Sequence, residues 1–231
     1  MNVKVKVKDE KYYEGVLQLQ NINSAYTNDE GSEVSLPSLA VESYVDPSFS
    51  QMKVPIFAEG IPFGNDFTKA GIDGYATDDS NHQYNGTIVM ENNGIAEYPR
   101  LYVKLPITDE EFTYSIHVPG HFKYSNPFTV FKQIGEKIRG EFDTEGFPQM
   151  IAGDVNGDQV IDILDAIYMQ TYWGTDHRDA DINFDGIVDM NDFTFIETNY
   201  GLQNPTDPSA PRAKMKYKNK TLETVKKELE S

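Results

Sequence analysis

Apolar and polar residues alternate with a period of two at several places in the first two-thirds of the chain. Asn2-Val3-Lys4-Val5-Lys6-Val7-Lys8 is one such run, and Leu17 with Leu19 extends the signal. Leu101, Val103 and Leu105 repeat it. Phe112, Tyr114, Ile116 and Val118 give the cleanest case, ending at the turn dipeptide Pro119-Gly120. Successive side chains of a strand point to opposite faces, so this period predicts half-buried strands. Shorter candidates are Val34–Leu36, Met52–Phe57, Thr87–Met90 and Phe128–Phe131, punctuated by Gly60-Ile61-Pro62 and Asn92-Asn93-Gly94. No helical period longer than two turns precedes residue 150. Many short strands joined by polar turns predict a mainly β architecture: an antiparallel β-sandwich of the immunoglobulin or fibronectin kind over 1–149. Whether that region is one sandwich, or a partial strand set followed by a smaller sandwich near 56–148, stays open.

Beyond residue 150 the pattern changes. Phe193, Ile196 and Tyr200 fall on one helical stripe. Two short helices are predicted over 165–173 and 192–200, each stopped by a glycine, Gly174 and Gly201. Further on, Pro205-Thr206-Asp207-Pro208-Ser209-Ala210-Pro211 reads as an extended linker. Leu222, Val225 and Leu229 then mark a short helical stripe behind a candidate N-cap, Thr221. This basic tail over 204–231 is expected either to dock on the acidic segment before it or to be disordered.

Charge sharpens the division. The 231 residues carry a formal net charge of -17. Residues 1–149 hold 22 acids against 12 bases, whereas 150–203 hold 11 acids against one base, Arg178. A folded segment of that density needs neutralising, and bound cations are the economical means. The acidity excludes a nucleic-acid surface, which needs clustered bases, and disfavours anionic membranes. No apolar run approaches the roughly 20 residues that span a bilayer. With no Cys in the chain, disulfides, thiolate zinc sites and Cys nucleophiles are excluded.

The spacing of the acids points to calcium. Asp154, Asn156, Asp158, Asp162 and Asp165 stand at positions 1, 3, 5, 9 and 12 of a twelve-residue loop, and Asp181, Asn183, Asp185, Asp189 and Asp192 repeat the spacing 27 residues later. A tight loop turns positions 1, 3 and 5 toward one point. The carbonyl of position 7, here Val160 or Ile187, adds a ligand, and a carboxylate at 12 closes the shell. Such a set of hard oxygens suits Ca²⁺, so two ions are expected. The apolar residues at position 8, Ile161 and Val188, are expected to enter the core and pair the two loops. Position 6 turns sharply. Gly186 suits it, whereas Gln159 costs about 1 kcal/mol of strain, so the second loop is expected to bind more tightly.

Catalytic motifs are missing. There is no Gly-x-Ser-x-Gly elbow, phosphate loop or His-Glu-x-x-His. His117 and His121 flank a turn and make a poor metal pair, and Asp78-Asp79 and Asp109-Glu110-Glu111 read as solvated loop charge. A cryptic hydrolase within 1–149 is the competing reading.

Two loop–helix units, each opening Asp-x-Asn-x-Asp and lacking an entering helix, resemble a dockerin over roughly 152–203. The resemblance implies a small calcium-folded helical module that docks onto cohesin domains in extracellular assemblies, with calcium roles for the ten side chains named above. It departs from the family at the recognition positions. Positions 10 and 11 are Ile163-Leu164 and Met190-Asn191, and the usual basic pair on the following helix is replaced by Met169-Gln170 and Ile196-Glu197. That face is therefore expected to be buried, against the β-region or a partner. The wider segment, with Gln170-Thr171-Tyr172-Trp173-Gly174-Thr175 and the Lys-rich tail, also resembles the C-terminal region of secreted subtilisin-like serine proteases of the lactocepin type. That implies a secreted or cell-envelope setting and a non-catalytic piece of a larger enzyme.

Overall fold

A computed structural model describes residues 16–19, 25–27, 33–35, 41–44, 49–92, 94, 97–106, 111–129 and 149–231. The chain divides into two compact units, Met1–Ser50 and Gln51–Ser231. In the first, β1 (Val16–Leu19) pairs antiparallel with β4 (Val41–Tyr44), and β2 (Ala25–Thr27) with β3 (Glu33–Ser35). The strands expected at Leu17–Leu19 and around Val34 fall here, while the run at 2–8 lies outside the described residues.

β5 (Phe49–Pro55) crosses into the second unit, which continues through β6 (Phe57–Ala58), β7 (Asp73–Asp78), β8 (Gln83–Asn92), β9 (Glu97–Pro106), β10 (Glu111–His117) and β11 (Tyr124–Thr129). β5 and β7–β11 form one six-stranded sheet in the order β11-β10-β7-β8-β9-β5. The registers from β9 through β8, β7 and β10 to β11 are antiparallel. Three sequential strands with the fourth returning beside the first is a Greek-key order. These six strands make one curled sheet around one core, and the described residues do not confirm the expected sandwich.

The alternations behave as the period of two requires. Leu101, Val103, Leu105, Phe112, Tyr114, Ile116 and Val118 are all buried and share one core with Met52, Val54 and Phe67. The packing of Leu101 in this core depends on two glycines. Leu101 of β9 lies across Gly74 and Gly86, so close that a Cβ on either would stand 2.5 or 2.3 Å from its Cδ1.

A two-residue strand β12 (Gln149–Met150) pairs parallel with β6 and carries the chain into the acidic segment. There α1 (Ile163–Thr171) and α2 (Met190–Thr198) begin two residues earlier than the stripe suggested. The cause is local. Asp162 and Asp189 each cap a helix with the side chain, and Asp165 and Asp192 return the bond to the cap's backbone. The tail is ordered. A hairpin of β13 (Lys216–Tyr217) and β14 (Lys220–Thr221) leads into α3 (Leu222–Leu229), with Thr221 as the N-cap. Val225 of α3 is fully buried in a second core with Ile163, Ala166, Met169, Phe193 and Ile196. Lys226 pairs with Glu197 of α2, and Lys220 with Glu228. No helix among the described residues is long and apolar enough to cross a membrane.

The two cores exchange side chains. Phe122, just before β11, belongs to the core of the helices, and Phe184, in the second acidic loop, packs on the core of the sheet.

Candidate metal centre

The two acidic loops repeat most of their hydrogen bonds. Position 1 accepts from the backbone of position 6: Gln159 N to Asp154 at 3.0 Å, and Gly186 N to Asp181 at 3.0 Å. Position 3 accepts from position 5, Asp158 N to Asn156 at 2.9 Å and Asp185 N to Asn183 at 3.0 Å. Position 5 accepts from position 7, the residues being Val160 and Ile187. Position 12 spans its own loop. Asp165 accepts from Asn156 and Asp162, and Asp192 from Asn183 and Asp189.

Asp154, Asp162, Asp165, Asp181 and Asp192 are all at most 2% exposed. Buried carboxylates without a counter-charge are costly. Burial pushes Asp165 up to about 8, Asp154 up to about 7 and Asp192 up to about 6, and raises Asp158. Asp154 Oδ1 is buried with no hydrogen-bond partner. A buried carboxylate oxygen with no donor fits a hard cation, which would supply the missing partner. Among the described residues, no group of three or more His, Asp or Glu side chains forms a ready-made metal cage. The loop carboxylates are instead turned onto backbone N–H groups.

Ile161 and Val188 are fully buried, as expected, but their backbones do not join each other. Ile161 N donates to Leu202 O and Ile161 O accepts from Gly201 N, while Val188 N donates to Thr175 O and Val188 O accepts from Gly174 N. Each loop is thus stitched to the chain leaving the other loop's helix, a reciprocal pairing.

Position 6 also differs from expectation. Gln159 does hold a left-handed φ of +67°, but the second loop has its own strained residue, Phe184 at position 4 with φ +57°. In the first loop position 4 is Gly157 and in the second position 6 is Gly186, both left-handed. Each loop therefore carries one glycine and one non-glycine in this region, which removes the strain argument for a tighter second site.

These loops face the sheet. Gly153 N donates to Gly120 O at 2.8 Å, and Phe122 N to Ile151 O at 2.9 Å. Glu59 Oε2 accepts from Ala152 N at 3.0 Å and from Asn199 Nδ2 at 2.8 Å. Arg178, the lone base of 150–203, donates from Nε to Ala70 O at 2.8 Å and lies over the Phe184 ring. Phe195 covers Gly60 so closely that a Cβ there would stand 2.5 Å from its ring.

His121 sits in this joint fully buried, with Nδ1 2.9 Å from Pro119 O and Nε2 2.7 Å from Glu59 O. Its nitrogens are thereby committed, and burial lowers its pKa. His82 stacks on Tyr84 and His177 on Tyr172. Of the acidic clusters, Asp78 accepts from Ser80 and His82 in a turn, and 109–110 lie outside the described residues.

Sequence comparison adds the deciding observation: the family model described as dockerin type I domain matches residues 152–199. The chain carries a dockerin-like calcium-binding module. The match covers about a fifth of the chain, and no curated protein matches it. The dockerin-like module spans both loops, α1 and α2, so its two halves coincide with the repeat seen in the hydrogen bonds. Sequence reasoning missed the roles of Gln159 and Phe184 in reaching the sheet. Their only signals were a glutamine where the loop pattern prefers glycine and an aromatic ring inside an otherwise polar loop.

Proposed function

We propose that this chain is a non-catalytic, calcium-stabilised accessory region in which the dockerin-like module works as a structural clasp on the β-sheet. The module is assigned to 150–203, with 204–231 as an extension that folds back over its helices. Each loop takes one Ca²⁺. In the first, Asp154, Asn156, Asp158, the Val160 carbonyl, Asp162 and Asp165 hold the ion. In the second, Asp181, Asn183, Asp185, the Ile187 carbonyl, Asp189 and Asp192 do so. The ion supplies the positive charge that these buried carboxylates lack.

The observation that carries this reading is the exchange of Phe122 and Phe184 between the two cores. A module that donates a side chain to its neighbour's core and receives one in return acts on that neighbour. Calorimetry of the full chain tests the metal half, with a stoichiometry near two expected. No binding at millimolar calcium would defeat the reading.

A second reading, docking onto a cohesin, rests on the dockerin match. The face that such docking would use is occupied in part within the chain, with Leu164 and Met190 half-buried and Asn191 exposed. Ile163, Met169 and Ile196 are fully buried, while Gln170 and Glu197 bond to residues of the C-terminal extension. A secreted, subtilisin-like parent protein is the setting that the sequence resemblance supplies. A readable test is whether an in-frame subtilase domain precedes this segment in its gene.

A further inference from the structure

Gln159 makes contacts that a glycine at its position cannot. Its Nε2 donates to Asp154 Oδ2 at 3.2 Å, the same oxygen that its own backbone N–H reaches. Its Oε1 accepts from Lys123 N at 3.1 Å and from Asn204 Nδ2 at 2.6 Å. Asn204, itself buried, also donates to Lys123 O at 2.7 Å. The backbone N–H of Lys123 is therefore held by the module and its carbonyl by the first residue of the C-terminal extension. Lys123 immediately precedes β11, the edge strand of the six-stranded sheet.

The orientation of the amide follows from charge. A carboxylate accepts and cannot donate, so Asp154 draws the Nε2 end of Gln159 toward itself and turns Oε1 toward Lys123. Asp154 is also position 1 of the first loop, and its other oxygen, Oδ1, is the orphan. A cation on Oδ1 fixes the carboxylate, which fixes the amide, which fixes the start of β11. In the second loop the equivalent residue is Gly186, which has no side chain to relay anything. Left-handed backbone at a non-glycine residue is strained, and such strain persists where the surroundings use the residue.

We infer that Gln159 is a positioning residue that transmits calcium occupancy of the first loop to edge strand β11. The inference rests on the calcium reading above and extends it to one route out of one loop. The amide of Lys123 then reports calcium, although it lies 31 residues before the loop begins.

Hydrogen exchange on the full chain, with calcium or with a chelator, tests this. In the native sequence, calcium slows exchange at Lys123 on the order of tenfold. In Gln159→Ala, which leaves the backbone strain in place, calcium still protects the second loop but no longer alters Lys123. Gln159→Glu is the second variant. It keeps acceptors for Lys123 N and loses the donor to Asp154, so Lys123 stays protected with or without calcium. Calcium-dependent protection of Lys123 that persists in both variants overturns the relay, as does a native chain that binds calcium without any change at Lys123. A native chain that binds no calcium removes the calcium reading itself, and the relay with it.

Discussion

Gln159 and Phe184 stand at different positions of two equivalent loops, yet each is its loop's one left-handed non-glycine residue and each reaches the sheet. Gln159 bonds to Lys123, and Phe184 packs on the sheet's core. Gln159 keeps one side-chain bond to its own loop, at Asp154, and still reaches out of it to Lys123. A calcium loop that must also dock therefore has two places to put a docking side chain, positions 4 and 6. One loop uses the first and the other uses the second.

In chelator, heating should unfold the sheet and the module of Gln51–Ser231 in a single transition, at a lower temperature than with calcium, because their cores exchange Phe122 and Phe184. At a calcium level about a hundredfold above Kd, each site contributes roughly 2.7 kcal/mol. Two sites then match the whole stability of a small domain. Thermal melts followed at a sheet probe and a helix probe check this. Two separated transitions in chelator, with the sheet melting at its calcium-loaded temperature, would show independent units.

The calcium-free chain should lose stability as pH rises from about 4 to about 8. Asp154 and Asp165 are raised in the fold, to about 7 and about 8, chiefly by burial. A raised carboxyl favours the folded state while protonated, and that benefit disappears as pH climbs through the folded value. Calcium should flatten the dependence by stabilising the ionised carboxylates. Urea midpoints measured across this range, in chelator and in calcium, provide the comparison. A flat profile in chelator would contradict the buried, unbalanced state of these groups.

Gly86→Ala should be worse than Gly74→Ala. At Gly74 the three atoms nearest the new methyl all belong to the Leu101 side chain, which can turn. At Gly86 it also meets the carbonyl oxygen of Gly74 at 2.8 Å, and backbone cannot step aside. A loss of about 1–3 kcal/mol is expected at Gly74, in the range of overpacked cores, and a larger one at Gly86. Denaturant unfolding of both variants ranks them, and equal losses would contradict the backbone argument.

In α3, burial should outweigh charge. Val225→Ala removes a fully buried side chain and should cost about 1–3 kcal/mol. Lys226→Ala breaks its pair with Glu197, whose two side chains are 36% and 31% exposed, and should cost no more than about 1 kcal/mol. Thermal melts of the two variants decide the order, and a larger loss for Lys226 would mean that the helix is held by charge.

Much of this was legible in the chain because its causes are local. Alternation at Phe112–Val118 follows from the geometry of one strand, and the 27-residue repeat follows from one loop's need for oxygens at fixed spacing. The caps at Asp162 and Asp189 are local too, but the ligand spacing masks them, and both helices start two residues before the apolar stripe suggests. The Greek-key order was not legible, since it depends on which distant strands meet. Nor was the joint. Glu59 and Asn199 carry no pattern that links them across 140 positions, and the reciprocal stitching of Ile161 and Val188 was hidden because burial does not name a backbone partner.

The joint also constrains the order of events when the chain first folds. The hairpins of the sheet and each loop–helix unit close over short sequence separations and form early. The bonds that lock them together join Ala70 to Arg178, Lys123 to Asn204 and Glu59 to Asn199, separated by 108, 81 and 140 residues. A chain emerging from its N-terminus cannot make the last of these until Asn199 has appeared. Until then Phe122 waits without the core that receives it. The sheet is built first and finished last, and its completion is timed by the segment that carries the calcium loops.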